Sequence, residues 1–169
     1  MRPLLQIILS AIVLCGCTPT ESFDVLIRNG QIVDGSGGES YLGDVGIRAD
    51  IISAIGNLSD AKGEIEIDAT GLVVAPGFIN MLSWAVDALI EDGESQSDIR
   101  QGVTLEVFGE GSSMGPWNEE MKKEEQKMQG DIKYPISWTS LSEYLDFIVE
   151  KGVSTNVASF VGATTLRIH

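Results

Sequence analysis

The stretch that decides the fold class is Val103-Thr-Leu-Glu-Val-Phe108, a short and largely apolar run that leads into the glycine-rich loop Gly109–Gly115. A similar run, Phe78-Ile-Asn-Met-Leu82, follows Pro76-Gly77, and residues 153–161 form a third. Short apolar runs that are bounded by turn residues are typical of strands buried on both faces of a parallel sheet. The three runs therefore predict three parallel strands.

Helical patterns separate these strands. Residues 97–101 show partial helical character, and Asn118 begins a charged surface helix that we expect to stop at Gly130. Ser140-Leu-Ser-Glu143 is a capping box before a helix that is apolar on one face, and Gly152 ends that helix. The order of strand, helix, strand, helices and strand predicts a parallel α/β sheet or barrel.

Residues 23–75 have the sequence pattern of a small all-β module of short strands. Asn29-Gly30 lies between two apolar runs, and this dipeptide is a strong hairpin signal because both central residues must adopt φ > 0. Ala49-Asp50 and Asp68-Ala-Thr-Gly71 separate two further pairs of runs. The predicted strand pairs are residues 23–28 with 31–33, 44–48 with 51–55, and 64–67 with 72–75.

The N-terminus has the pattern of a secretory signal. A positive start is followed by an apolar run from Leu4 to Leu14, which is too short for the roughly 20 residues of a spanning helix. Leu14-Cys-Gly-Cys17 resembles a bacterial lipobox, in which cleavage leaves Cys17 as a lipid-bearing first residue. We expect residues 1–16 to be a signal peptide and residues 17–22 a lipidated tether of an exported lipoprotein, anchored on the periplasmic or outer face of a membrane. The alternative is an ordinary buried helix with two incidental cysteines.

Charge and cysteine content exclude some functions. The chain has 11 Lys+Arg and 25 Asp+Glu, a net charge of −14, and loss of Arg2 with the signal would leave −15. Such an acidic surface repels nucleic-acid phosphates, so we exclude nucleic acid as a partner. Cleavage would remove Cys15 and acylation would occupy Cys17, so we expect the mature chain to have no thiolate available as a nucleophile or zinc ligand.

Four stretches carry a family resemblance: Asp24-Val-Leu-Ile-Arg-Asn-Gly-Gln-Ile-Val-Asp-Gly35, Ile65–Ile79, Asp98-Ile-Arg-Gln-Gly-Val-Thr104 and Asn156-Val-Ala-Ser-Phe-Val-Gly162. Together they resemble the opening of D-aminoacylases, the N-acyl-D-amino-acid deacylases of the amidohydrolase superfamily. The resemblance runs from about residue 23 to the end of the chain. In that family a small β-sandwich packs on a metal-bearing (β/α)8 barrel.

The resemblance implies an α/β fold with a small all-β module. Residues 23–75 would belong to an amidohydrolase-like β-sandwich, and residues 76–169 would be the N-terminal part of a truncated TIM barrel. Residues 78–82, 103–108 and 153–161 would be the first three barrel strands. A complete eight-stranded barrel needs roughly 250 residues, so we expect an incomplete (β/α)8 barrel.

The resemblance also implies where a metal would be bound. After Pro-Gly-Phe-Ile the family has an acidic residue and then two histidines one apart, which hold zinc or another divalent metal that activates a water. Here Asn80 stands at the acidic position, and Leu82 and Trp84 stand at the histidine positions, where neither can donate a lone pair to zinc. Gly111 replaces a cysteine ligand of many D-aminoacylases, and the adjacent Glu110 is either a candidate metal ligand or a solvated loop residue. We expect this chain to bind no metal.

A second motif points to a different chemistry. Gly111-Ser-Ser-Met-Gly115 fits the G-x-S-x-G pattern of a serine nucleophile and follows a predicted strand. A catalytic triad needs a histidine base, and the one histidine of the chain is the terminal His169. Pro116 also disfavours a helix directly after the turn, because it pushes the preceding Gly115 out of the helical region. We therefore interpret the match as accidental.

The leading functional interpretation is a truncated, exported, amidohydrolase-like chain. The reaction that the resemblance implies is hydrolysis of a non-peptide C–N bond, typically the amide of a small N-acyl-D-amino acid. We expect this chain to be inactive on its own. The alternative is a catalytically dead relative, a lipoprotein that binds a ligand or a partner without hydrolysing it.

Replacing Cys17 with serine tests the lipoprotein interpretation. Without a thiol to acylate, Cys17→Ser is expected to remain unprocessed and to be released from membranes without detergent. Gel mobility and membrane partitioning measure the two effects, and Cys15→Ser is the control because Cys15 is removed with the signal. Unchanged mobility and partitioning of Cys17→Ser would contradict the interpretation.

Overall fold

The computed structural model describes residues 20–169, so the predicted signal peptide (1–16) and the predicted lipidation site Cys17 lie outside the described residues. The chain divides into two compact units between Pro76 and Gly77. Within residues 20–169, no helix has both the length and the apolar character needed to cross a membrane.

The first unit is a five-stranded mixed sheet with the order β3-β2-β1-β4, in which β5 also pairs with β1. β1 and β2 are antiparallel, as are β2 and β3, whereas β4 and β5 both run parallel to β1. The strands are β1 (Ser22–Ile32), β2 (Tyr41–Arg48), β3 (Ile51–Gly56), β4 (Lys62–Asp68) and β5 (Val73–Val74).

The predicted hairpin at Asn29-Gly30 is wrong, because β1 continues through this dipeptide as one strand. Asn29 does adopt φ +61°, but it forms a bulge, where the register with β2 shifts between Ile27 and Gly30. The backbone N–H of Asn29 donates to Asp44 Oδ1 (2.9 Å), and its Nδ2 donates to Asp68 Oδ1 (3.2 Å). The left-handed conformation of Asn29 therefore forms a bulge within β1 and does not reverse the chain.

The other two predicted pairs have opposite outcomes. The β2–β3 hairpin is confirmed, with Ala49 at φ +52° in its turn. The pairing of residues 64–67 with 72–75 is wrong, because β4 and β5 each pair with β1 and not with each other. The backbone N–H and the hydroxyl of Thr70 both donate to Asp68 Oδ1, so this segment forms a compact turn after which the chain resumes its direction along β1.

The two faces of this sheet differ. One face is covered by a small core of Phe23, Leu26 and Ala61, with Ala54 and Leu58 packed against it. On the opposite face, cross-strand partners align apolar side chains in two rows. We call this surface the isoleucine face. Its first row is Ile52, Ile47, Val25 and Ile65. Its second row is Ile55, Val45, Ile27 and Ile67. The isoleucines in β3 and β4 on this face are exposed.

The second unit contains a three-stranded parallel sheet in the order β6-β7-β8, which confirms the parallel arrangement predicted from the sequence. Its elements are β6 (Phe78–Asn80), α1 (Val86–Glu91), α2 (Gln96–Ile99), β7 (Val103–Phe108), α3 (Glu119–Met128), α4 (Leu141–Lys151), β8 (Asn156–Ser159) and α5 (Ala163–Ile168). The first and third strands are shorter than the predicted ranges 78–82 and 153–161. The expectation that the first is buried on both faces is wrong, because Phe78 and Ile79 are exposed on this edge strand.

The core of the second unit is rich in aromatic side chains. Trp138 is fully buried, and its ring centroid lies 5.0 Å from that of Phe147 and 5.2 Å from that of Tyr144. The capping box of α4 is confirmed: Glu143 N–H donates to Ser140 Oγ (3.2 Å), and Ser140 N–H donates to Glu143 Oε2 (2.8 Å). The cap holds α4 in register while its apolar face packs on the aromatic cluster.

Leu26→Ala is expected to lower the free energy of unfolding of the first unit by about 2–5 kcal/mol, because it leaves a cavity beside Phe23. Far-UV circular dichroism in urea measures the loss. Tryptophan fluorescence follows the second unit separately, because all three tryptophans lie there. Leu42→Ala is the control, since Leu42 is 75% exposed. An equal loss in both variants would contradict this description of the core.

Candidate functional site

A pocket lies at the carboxyl ends of β6 and β7. Its cavity volume is about 210 Å³, and the segments that follow both strands form its walls. In parallel α/β sheets and barrels, ligands bind at the carboxyl ends of the strands. This cavity is therefore the candidate functional site of the described residues.

The segment after β6 forms an apolar wall of the pocket. Leu82 and Trp84 both line the cavity and are 51% and 73% exposed. Asn80 ends β6, and its Oδ1 accepts a hydrogen bond from Leu82 N–H at 3.3 Å. The positions at which the family resemblance predicts a histidine pair therefore present hydrocarbon and indole to the pocket.

The segment after β7 brings Glu110 to the same pocket, where its side chain is exposed. The backbone oxygen of Gly111, where the family resemblance predicts a cysteine, accepts a hydrogen bond from Thr164 N–H (3.1 Å). Among residues 20–169, no group of three or more His, Cys, Asp or Glu side chains is arranged to hold a metal. Leu82, Trp84 and Gly111 offer no side-chain donor, and the carboxyl groups that line the pocket are not grouped around one point, so the residues present do not fit a zinc centre, which needs about three protein ligands.

Two carboxyl groups from separate helices also line the pocket: Asp87 from α1 and Glu125 from α3. The hydroxyl of Tyr134 donates to Asp87 Oδ1 at 2.6 Å. Burial, and then this bond to Asp87, raise the pKa of the Tyr134 hydroxyl, so it stays protonated as a donor. Partial burial, and then the charge of Asp87, raise the pKa of Glu125 above its ordinary value. Both carboxyl groups line the cavity, so each can form a hydrogen bond with a ligand there.

Sequence reasoning missed Glu106, which is fully buried in the middle of β7. Its carboxylate accepts hydrogen bonds from three hydroxyl groups: Ser83 Oγ at 2.5 Å, Ser95 Oγ at 3.1 Å and Thr155 Oγ1 at 3.2 Å. The signal available in the sequence was a single acidic residue inside an apolar run. Its three partners are 11 to 49 residues away, so no local pattern identifies them.

The serine motif is structural in the described chain. The hydroxyl of Ser113 is buried, donates to Gly115 O (2.6 Å) and accepts from Gly162 N–H (2.9 Å). His169 ends α5, and its backbone oxygen accepts a hydrogen bond from Asn118 Nδ2 at 3.4 Å. No hydrogen bond joins the Ser113 hydroxyl to the His169 imidazole in residues 20–169, so these two residues do not form a nucleophile–base pair.

Comparison with known proteins places this geometry in a wider context. No family model matches the sequence. A D-aminoacylase from Alcaligenes xylosoxydans xylosoxydans is 34% identical over 152 residues, which cover 88% of this chain and 31% of that protein. The chain therefore spans about a third of the length of this curated relative.

Two solved structures are similar to the chain. One addresses the role of the binuclear metal center of D-aminoacylase; it has a TM-score of 0.72, 31% identity, and covers 86% of this chain and 31% of that one. The other is N-acyl-D-glutamate deacylase from Bordetella bronchiseptica, complexed with zinc and a phosphonate mimic of the tetrahedral intermediate. It has a TM-score of 0.71, 28% identity, and covers 87% of this chain and 31% of that one.

The parallel sheet, its pocket and these matches define the chain as a partial homologue of the amidohydrolase superfamily. Within that superfamily its homology is to D-aminoacylase and the N-acyl-D-amino-acid deacylases, as the four sequence stretches indicated.

The raised pKa of Glu125 predicts a pH dependence of stability. Folded Glu125 keeps its proton to higher pH than the unfolded chain does, so stability falls as the pH rises above about 4.5. Glu125→Gln is expected to remove this contribution. Urea unfolding of the second unit at a series of pH values, followed by tryptophan fluorescence, measures it. Glu120→Gln, at an exposed position of the same helix, is the control, and a variant at Glu125 with the parent's pH slope would contradict the assignment.

Proposed function

We propose that the chain forms the N-terminal part of an amidohydrolase-like enzyme: a β-sandwich module followed by the first three strands of a (β/α)8 barrel. The reaction of the complete enzyme would be hydrolysis of a non-peptide C–N bond, such as the amide of an N-acyl-D-amino acid. The observation that carries this proposal is the parallel sheet β6-β7-β8 with a pocket at its carboxyl ends, in a chain that superposes on D-aminoacylase.

The chain on its own is proposed to be inactive. Hydrolysis of an unactivated amide at neutral pH needs an activated water, which a metal ion supplies in many hydrolases. Leu82, Trp84 and Gly111 provide no donor for such a metal, and Asp87 is already hydrogen-bonded to Tyr134. Glu110 alone leaves a metal weakly held and hydrated.

A second candidate function is ligand binding without hydrolysis. Leu82 and Trp84 give the pocket an apolar wall, while Asp87 and Glu125 give it hydrogen-bonding groups on another side. Such a cavity has the composition of a small-molecule site, with mostly apolar walls and a few polar groups. In this function the protein would be an exported lipoprotein that is held on the membrane through Cys17 and presents the pocket to solvent.

Metal analysis and an activity assay test the proposed inactivity of the chain. After dialysis, the purified chain is expected to hold no stoichiometric zinc and to hydrolyse N-acetyl-D-methionine no faster than buffer, with zinc added or withheld. Glu110→Ala is the matched control because it removes the remaining candidate ligand. Zinc that survives dialysis would contradict the statement that the pocket lacks zinc ligands. Zinc-dependent turnover above the Glu110→Ala level would contradict both the proposed inactivity and the non-hydrolytic function.

A further inference from the structure

The buried carboxylate of Glu106 has no counter-charge in the part of the chain that the structure describes. Its side chain is 0% exposed, and no lysine, arginine or histidine of residues 20–169 forms an ion pair with it. Removing a carboxylate from water is costly unless hydrogen bonds replace its hydration. The hydroxyls of Ser83, Ser95 and Thr155 provide this replacement, and all three residues are themselves buried.

The three hydroxyls come from three different segments of the second unit. Ser83 lies in the loop after β6, Ser95 precedes α2, and Thr155 precedes β8. Ser95 adopts φ +45°, in the left-handed region that is unfavourable for a residue with a side chain. Glu106 therefore connects its own strand to both neighbouring segments of the sheet and to a strained turn.

Of the three residues that donate to Glu106, Ser83 is the one that lines the pocket. Ser83 lies between Leu82 and Trp84, which form the apolar wall. Its backbone N–H donates to Val107 O (3.0 Å), and its Oγ accepts from Ala85 N–H (3.2 Å) while it donates to Glu106. The Ser83 side chain thus joins the turn at residues 82–85 to Glu106, in addition to the bonds from Leu82 N–H to Asn80 and from Ser83 N–H to Val107 that also hold this turn.

An apolar side chain would fill the same space without the desolvation cost. Replacing buried charges with hydrophobic residues of similar volume is often neutral or stabilising, so stability alone does not account for a glutamate at this position. We propose that Glu106 is a positioning residue: through Ser83 it holds the loop at residues 81–85 in the conformation that places Leu82 and Trp84 on the pocket wall. The use of this wall for a substrate or ligand rests on the proposed function, whereas its placement by Glu106 does not.

The chain contains its own reporter of this loop. Trp84 is 73% exposed, whereas Trp117 and Trp138 are 5% and 2% exposed, and these are all the tryptophans present. Acrylamide quenching in the full chain therefore reports mainly on Trp84. Amide hydrogen exchange of Ser83 reports on the same loop, and exchange of Ile148 in α4 reports on the stability of the unit as a whole.

Glu106→Val removes the acceptor and keeps an apolar strand residue. Protection of the Ser83 amide is expected to fall about tenfold or more relative to that of Ile148, and the Trp84 quenching constant is expected to rise. Glu106→Gln is expected to retain most of the protection, because its oxygen can accept from Ser95 and Thr155 and its NH2 can donate to Ser83. Ile148→Val is the matched control: it lowers the stability of the unit but leaves Glu106 and Ser83 in place, so the Trp84 quenching constant is expected to stay at the parent value.

Ser83→Ala is a second test that remains available if Glu106→Val does not fold, because it removes one hydroxyl and leaves Glu106 with two partners. The Trp84 quenching constant is expected to rise in this variant without loss of protection at Ile148. Parent-like quenching and exchange in both Glu106→Val and Ser83→Ala would overturn the proposal, as would a Glu106→Gln variant disturbed as much as Glu106→Val. None of these measurements depends on zinc or on hydrolysis, so their results can be interpreted even if the proposed function is wrong.

Discussion

The parallel pairing of β7 with β6 and β8 is the contact on which the candidate site depends. Parallel pairing brings the carboxyl ends of neighbouring strands to one edge of the sheet, and so it brings the segments that carry Leu82, Trp84 and Glu110 to one cavity. Regular strand pairing ends before these segments begin, and they are held by single backbone bonds, such as that from Ser83 N–H to Val107 O, together with side-chain hydrogen bonds. Glu106 lies in the central strand and provides such a bond to the segment after β6.

This chain resembles D-aminoacylases in its fold but not in the residues that would carry out the chemistry. The chain matches about a third of the N-acyl-D-glutamate deacylase that was solved with zinc, and the matched parts have similar geometry. At the positions of the expected metal ligands the chain has leucine, tryptophan and glycine, which are not donors for zinc. A fold positions the strand ends, but the residues placed there decide the reaction. The pocket is therefore best described by its apolar wall and its hydrogen-bonded carboxyl groups.

Much of the fold was predictable from short patterns. The capping box at Ser140 and the three apolar runs identified the main helix and the parallel strands, because these signals depend on neighbouring residues. Asn29-Gly30 was misread, since a left-handed residue serves a bulge as well as a hairpin turn. The Asp87–Tyr134 bond and the hydroxyls around Glu106 were not predictable, because the folded chain brings together residues that are far apart in sequence.

The isoleucine face has a consequence for how the protein behaves in bulk solution. Four exposed isoleucines on one sheet surface attract any similar surface, and the net charge of −14 keeps whole molecules apart. The hydrophobic attraction acts at contact and does not depend on charge. The electrostatic repulsion weakens with added salt, because the Debye length shrinks from about 10 Å at 0.1 M salt to about 3 Å at 1 M. Concentrated salt therefore favours precipitation, and dilute buffer favours dispersed particles.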